Sequence, residues 1–457
     1  MNPESDAMQR VKALANANKN LKFNNLMHLA TPELFEESLR GLNPNAAPGV
    51  DGVTWRDYMN KNPKELLPEL REEMFNGTYR ASPTRRVFIP KPDGGERPLG
   101  IATVRDKVAQ TVVKKILEAV FEPVFKGFSY GFRPGRNAHQ ALDELSVCIM
   151  RQRVLWILDA DISKYFDTIP HELMVECIER RVTDPRIIRL IRKWLKAGVF
   201  DNGLLSDNIL GTPQGAPISP LLANIFLHYV LDEWADEWRK SCKGYMCIVR
   251  YADDFILGFE CKSEAERFLE ALKARLEEYG LGLSPTKTRL INFGRSAMIY
   301  RKNNGLPKPE SFDFLGFRHM CAKSNKGYFK VLRKTIGKRL GRKLKEIKGF
   351  LRMKMHEPIK EVVQSLNRKL NGYYRYFAYI DNLHTLNSMR YYLLCYWRKV
   401  IGRRSQKGRR SPDFKDFFKT IAVQVAEPKG AVVRLYPDTE TIQKILNGAN
   451  AKLRAGC

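Results

Sequence analysis

The sequence predicts an α+β fold in which small antiparallel sheets are set among helices and followed by a basic, all-helical region. Three observations predict it. Residues 248–259 are two short apolar runs joined by an Ala-Asp pair, a hairpin pattern. Residues 85–101 repeat the form, with Asp93, Gly94 and Gly95 as the turn. From Lys334 onward the pattern becomes amphipathic and strongly basic, as in a helical bundle.

In chain order, residues 1–80 read as mostly helical and polar, broken at Pro48-Gly49. The 85–101 hairpin leads into a helix over 106–121. The apolar run 154–158 reads as a buried central strand that ends in Asp159-Ala160-Asp161. A helix is expected from Pro170. Another opens at Ser219-Pro220, with proline in its first turn, and runs to about Trp238. Residues 263–279 are strongly helical and stop at Gly280. Residues 312–317 read as strand or turn, and 403–410 as a loop. No internal repeat is present.

A chain of 457 residues exceeds one ordinary core and suggests two or three domains. Its net charge of +28 points to a polyanionic partner, most simply nucleic acid. Residues 330–410 hold 23 Lys and Arg against 4 Asp and Glu, so most of that surplus sits in one stretch. The N-terminus lacks the basic and apolar regions of a signal peptide, and no run is long enough to span a bilayer. The 8 cysteines form no C-x-x-C pair and read as reduced core filler in a cytoplasmic protein, without a zinc site.

Asp253-Asp254 is the pattern with most chemistry. Aspartate is disfavoured in strands, and neighbouring carboxylates repel. Acids at the tip of an apolar hairpin therefore suggest a cation, and oxygen ligands suit hard divalent ions such as Mg²⁺. Taken alone, residues 251–254 fit an Asx turn better; the rest of the chain reverses that preference. Asp161 closes an apolar strand. If that strand lies beside the hairpin, three carboxylates converge on two cations about 3.5–4 Å apart. The alternative for Asp161 is a helix N-cap, and its own residues leave the two readings even.

In order, the chain carries Val87-Phe88-Ile89-Pro90-Lys91-Pro92-Asp93-Gly94, Ser129-Tyr130-Gly131-Phe132-Arg133-Pro134 and Asp161-Ile162-Ser163-Lys164-Tyr165-Phe166-Asp167. Gly211-Thr212-Pro213-Gln214-Gly215-Ala216-Pro217, Tyr251-Ala252-Asp253-Asp254, Ser284-Pro285-Thr286-Lys287-Thr288 and Phe314-Leu315-Gly316-Phe317 follow. This succession resembles the reverse transcriptase blocks of bacterial group II intron-encoded proteins. The helices after Lys330, with Leu370-Asn371-Gly372-Tyr373-Tyr374, resemble that family's thumb, or maturase, region. Two departures stand out: Ala216-Pro217 after the Pro-Gln-Gly turn, and Ser163-Lys164-Tyr165 where Lys-Gly-Phe is more usual.

The resemblance implies a right-hand polymerase, with fingers, an α/β palm bearing a small antiparallel sheet, and a basic α-helical thumb. It divides the chain into a helical extension (1–84), fingers and palm (85–320), thumb (321–410) and a C-terminal segment (411–457) resembling a reduced DNA-binding region. Asp161, Asp253 and Asp254 would be catalytic and hold two Mg²⁺, with Mn²⁺ as a substitute. Lys91 and Arg97 would neutralise the incoming triphosphate. Phe166 would lie under the deoxyribose and clash with a 2′-hydroxyl, against the plain alternative of core packing. Gln214 would contact the nucleotide, and Lys287 would support the phosphates or metals. Leu315 and Gly316 would grip the primer end.

The implied function is RNA-directed DNA polymerisation with a maturase role in splicing and mobility of intron RNA. The expected partners are structured intron RNA, an RNA template, a DNA primer and deoxynucleoside triphosphates, with no membrane. One alternative is a reverse transcriptase freed from its intron and serving phage defence, CRISPR spacer acquisition or DNA repair. Another is an RNA-binding splicing chaperone with a dead polymerase, against which the intact acids argue. The last histidine is His384, and only Cys395 and Cys457 follow it, so the tail is not expected to form an H-N-H endonuclease.

Overall fold

The computed structural model describes residues 6–61, 63–90, 95–201, 204–206, 210–212, 215–404, 413–430, 434 and 437–447. The chain divides into two compact units. The first holds residues 1–145, 156–290 and 445–457; the second holds 146–155 and 291–444.

The first unit opens with four helices, Asp6–Ala17, Pro32–Arg40, Trp55–Asn60 and Pro63–Asn76. The hairpin of β1 (Thr84–Pro90) and β2 (Glu96–Ile101) follows, in register from Arg85↔Ile101 to Pro90↔Glu96. Helix Val104–Phe121 starts two residues before the sequence expectation, because Thr103 caps it by accepting from Asp106 N at 3.1 Å. Its Val108, Val112, Val113 and Ile116 are fully buried and form part of one continuous core.

The central strand β3 spans Trp156–Asp161. After helices Tyr165–Thr168, His171–Glu179 and Pro185–Lys196 come two short strands, β4 (Val199–Asp201) and β5 (Leu204–Ser206). The first of these pairs in parallel with β1, giving the sheet order β2-β1-β4-β5. The helix that begins at Ser219 is nearly all apolar and buried on every side through Leu227. It then widens into a π-helical turn over His228–Asp232 before Glu233–Ser241, a departure from the single regular helix that the sequence suggests. Strands β6 (Met246–Tyr251) and β7 (Asp254–Phe259) form the expected hairpin, and β7 pairs antiparallel with β3. Helix Lys262–Glu278 packs on this sheet and ends at the Tyr279 cap. Strand β8 (Arg289–Asn292) completes the sheet order β6-β7-β3-β8.

The second unit contains the three-stranded sheet β9 (Phe312–Phe314), β10 (Phe317–Lys323) and β11 (Phe329–Thr335). The strand-or-turn expectation for 312–317 resolves into both, with a two-residue turn at Leu315-Gly316. Helices Gly337–Met353, Ile359–Phe377 and Leu383–Ile401 then carry much of the basic stretch. Their apolar faces meet through Leu351, Leu366, Leu370, Tyr374, Leu393 and Trp397, all buried. Asn382 ties this bundle to β11: its amide accepts from Thr335 N at 3.1 Å and donates to Thr335 Oγ1 at 2.7 Å. Among the described residues no helix is long and apolar enough to cross a membrane.

Candidate active site

The β6–β7 hairpin is closed by Ala252 and Asp253, since Tyr251 and Asp254 are its last register pair. Ala252 sits at φ +59°, the left-handed conformation that such tight turns use and that a Cβ disfavours by about 1–2 kcal/mol. Its neighbours hold it there. The Arg250 Nη1 donates to the Ala252 carbonyl and to Asn224 Oδ1, both at 2.9 Å. Asn224 Nδ2 in turn donates to the Gly131 carbonyl at 2.6 Å. A Cβ on Gly131 would run into the Tyr251–Ala252 backbone, so only glycine lets the 129–133 segment pass this close. Backbone bonds Tyr130 N to Arg250 O and Arg250 N to Phe128 O, each 2.9 Å, fasten that segment along β6.

Arg250 is balanced by Asp232. Their two parallel bonds measure 2.7 Å (Nε to Oδ1) and 2.5 Å (Nη2 to Oδ2), and both side chains are 0 % exposed. The fully desolvated guanidinium is tolerated because it is paired and hydrogen-bonded.

Asp161 stands directly opposite Asp254 at the end of β3. It is no helix N-cap, because the next helix starts beyond Lys164. Its carbonyl accepts from Ser284 N at 2.8 Å, and Ser163 N donates to the Gly282 carbonyl at 2.8 Å. These bonds dock the 282–288 loop beside the acids. That loop delivers Lys287, whose Nζ donates to Asp161 Oδ2 at 3.0 Å.

The carboxylates act on one another. Burial pushes Asp253 above the usual carboxylate range; Asp161 pushes it further, while Arg97 and Arg250 pull it back. Asp254 keeps solvent access at its tip. Crowding by protein atoms, followed by Asp253, Asp161 and Asp159, still pushes it up to about 6, against Lys287. Among the described residues no three His, Cys, Asp or Glu side chains are already gathered into a metal-ligand shell. The donor set nevertheless fits a hard divalent cation. It is all oxygen, its members repel each other, and an ammonium already sits on one of them.

The other expected residues are placed unevenly. Arg97 lies exposed on β2 opposite Ile89 and acts on Asp253. Phe166 is half-buried against the core, with its ring 5.3 Å from that of Tyr165 in an edge-to-face pair. It also walls a cavity of about 300 Å³ with Pro98, Leu99 and Gly100, so it both packs and faces an opening. Lys91 and Gln214 lie outside the described residues. Leu315, at φ +47°, and Gly316, at φ +85°, form the β9–β10 turn of the second unit, where Tyr376 Oη donates to the Leu315 carbonyl at 2.8 Å. Sequence reasoning missed Arg250 and Asp232. The signal was a lone charge inside an apolar strand, which demands a buried partner without saying which.

Residues 89–319, half of the chain, match the family described as reverse transcriptase (RNA-dependent DNA polymerase). Protein YkfC of Escherichia coli (strain K12) is 32% identical over 366 residues, covering 72% of this chain and 91% of that protein. An uncharacterized 91 kDa protein in cob intron of Schizosaccharomyces pombe is 28% identical over 84% of this chain and 53% of its own length. The group II intron-encoded protein LtrA of Lactococcus lactis subsp. cremoris is 34% identical over 50% of this chain and 38% of its own. The chain thus spans nearly all of the first and about half or less of the other two. With the ordered motifs, the carboxylates of β3 and the β6–β7 hairpin and these similarities together, the chain belongs to the reverse transcriptase (RNA-dependent DNA polymerase) family and is similar to a group II intron-encoded protein.

Proposed function

We propose that the protein extends a DNA primer on an RNA template and serves as maturase for a group II intron RNA. The observation that carries the polymerase reading is the cross-strand pair Asp161–Asp254 with Asp253 on the adjoining tight turn. Polymerases of this family work with divalent metal ions, and the oxygen-only donor set favours Mg²⁺. Two such ions, held by Asp161, Asp253 and Asp254, would activate the primer 3′-hydroxyl and neutralise the departing pyrophosphate.

The remaining steps fall to side chains of the chain itself. Arg97, with Lys91, offsets the charge of the incoming triphosphate. Lys287 orients Asp161 through its hydrogen bond. Phe166 blocks a 2′-hydroxyl, and Gln214 contacts the nucleotide. The Arg250–Asp232 pair fixes the turn that carries Asp253. In a right-hand reading, 85–320 form fingers and palm after the helical extension 1–84, and the basic helices of 321–410 form a thumb that grips template, primer and intron RNA. The intron role rests on the similarity to intron-encoded proteins and on the positive charge of that stretch.

Primer extension on an RNA template tests the reading. Asp253→Asn and Asp254→Asn keep the shape and remove the charge, so each should abolish Mg²⁺-dependent cDNA synthesis with RNA binding intact. Near-normal extension by both would refute the site. The maturase role is tested by splicing of the cognate intron at low Mg²⁺, where no acceleration over an unrelated RNA-binding protein would remove it.

A further inference from the structure

The first unit holds a second concave surface, of about 910 Å³, whose lining includes none of the residues assigned to catalysis. Lys22, Arg80, Arg189, Arg192, Lys193 and Lys196 line it, and Glu179 is the one acid among its described lining residues. Four of these cations come from helix Pro185–Lys196 at positions 189, 192, 193 and 196, the spacing that places side chains on one helix face. The opposite face buries Ile187, Leu190, Ile191, Trp194 and Leu195. Like charges at this spacing destabilise a helix, so the stripe needs a reason beyond solubility.

Two of the cations have structural partners. Lys193 Nζ donates to the carbonyls of Gly77 at 2.8 Å and Tyr79 at 2.5 Å. Arg192 pairs with the exposed Glu172. The side chains of Lys22, Arg80, Arg189 and Lys196 make no hydrogen bond or ion pair to any described residue. Arg189 lies across Gly77, which at φ +82° has no side chain to displace it. The stripe is about 10 Å long at 1.5 Å per residue, more than one phosphate requires. A lipid surface is disfavoured, because interfacial binding needs exposed apolar side chains and those of this helix are buried.

We propose that this cleft binds consecutive backbone phosphates of structured RNA at a place separate from the polymerase carboxylates. It would thus anchor the RNA while the active site copies or releases it. The inference rests on the RNA-directed reading above and adds to it a second RNA-binding surface.

The test compares the full chain with the triple variant R80Q/R189Q/K196Q, using a labelled RNA stem-loop with internal loops. Removing one phosphate-neutralising cation lowers the slope of log affinity against log salt by about 0.7–0.9. The triple variant should therefore bind at least about tenfold more weakly at moderate salt, with a slope reduced by about 2. Extension of a short pre-annealed primer–template should be unchanged. The charge-conserving R80K/R189K variant should bind as the parent does, and the exposed single change Arg80→Glu gives a smaller loss if the triple variant misfolds. Unchanged affinity and slope in both R80Q/R189Q/K196Q and Arg80→Glu would overturn the proposal. So would loss of binding to phosphatidylserine vesicles with RNA binding intact, which would mark a lipid site. A parent that binds RNA through this cleft but extends no primer would defeat the polymerase reading alone.

Discussion

Two sets of charge adjoin the same β6–β7 hairpin, and they are treated in opposite ways. Beside Ala252, Arg250 and Asp232 are wholly buried, and the guanidinium also bonds to Asn224 and the turn carbonyl. At the hairpin's end, Asp161, Asp253 and Asp254 crowd together with Lys287 as the cation bonded to Asp161. The first set is deeper yet satisfied; the second is more accessible yet frustrated. The contrast separates charge that holds a shape from charge kept for a ligand: the structural pair is complete within the protein, while the acids still favour an added cation.

The largest effect should come from breaking the complete set. Arg250→Met leaves Asp232 buried and unpaired, and removing one member of a buried pair costs about 3–5 kcal/mol. Urea denaturation would read this as a lower midpoint at similar slope. The double variant Arg250→Met/Asp232→Leu should regain most of that stability while primer extension stays impaired, because the Ala252 carbonyl no longer has its donor. Full recovery of extension in a stable double variant would make the pair purely structural.

The frustrated set should respond in the opposite direction. A carboxyl held near 6 when folded and near its ordinary value when unfolded binds its proton more tightly in the native state. Stability therefore falls as pH rises from about 4 to about 6 and stays lowered above that. A rise of that size would amount to about 3 kcal/mol for a fully desolvated group, and solvent at the Asp254 tip reduces this to roughly 1 kcal/mol. Asp254→Asn should thus be the more stable protein at pH 7 without divalent ions and show no advantage at pH 4. Added Mg²⁺ should raise the Tm of the parent and leave the variant unmoved. Equal stability across this range would mean that the acids are not in conflict.

The smallest effect should be kinetic. Phe166→Val leaves both charge sets untouched, so folding should change little. Ribonucleotide incorporation relative to deoxyribonucleotide should rise by about 10- to 100-fold, the range in which a pocket discriminates one hydroxyl. Single-nucleotide extension with matched substrates measures it, and unchanged selectivity would leave Phe166 as core packing alone.

Much of the fold and site is legible in the sequence because the relevant signals are local. The apolar runs around Asp253-Asp254, the Ser219-Pro220 helix start and the Gly280 stop each sit within a few residues of what they specify. What stays hidden depends on distant partners or on masked periodicity. Strand β11 buries Val331, Arg333 and Thr335 in alternation, yet its basic residues merge with the helices that the sequence suggests after Lys330, which in fact begin at Gly337. The parallel pairing of β1 with β4 joins segments more than a hundred residues apart. Lys164 adopts φ +46° where the related pattern more often has glycine, and a lysine announces no such conformation. In the candidate site, the three acids are readable from motif order, but the guanidinium that steadies their turn is not.

The widened turn at His228–Asp232 has a geometric consequence. Asn224 and Asp232 reach one guanidinium from positions 224 and 232 of a continuous helical rod. A regular α-helix advances about 100° per residue, which would swing the later side chain roughly 80° past the earlier one. A turn that winds more slowly takes up that excess and returns Asp232 to the azimuth of Asn224. The rod therefore acts as a vernier whose phase is set by one surplus residue. Inserting one residue within 228–231 should leave the helical content intact by circular dichroism, yet rotate the acid by about 100° off the arginine and slacken the turn that carries Asp253.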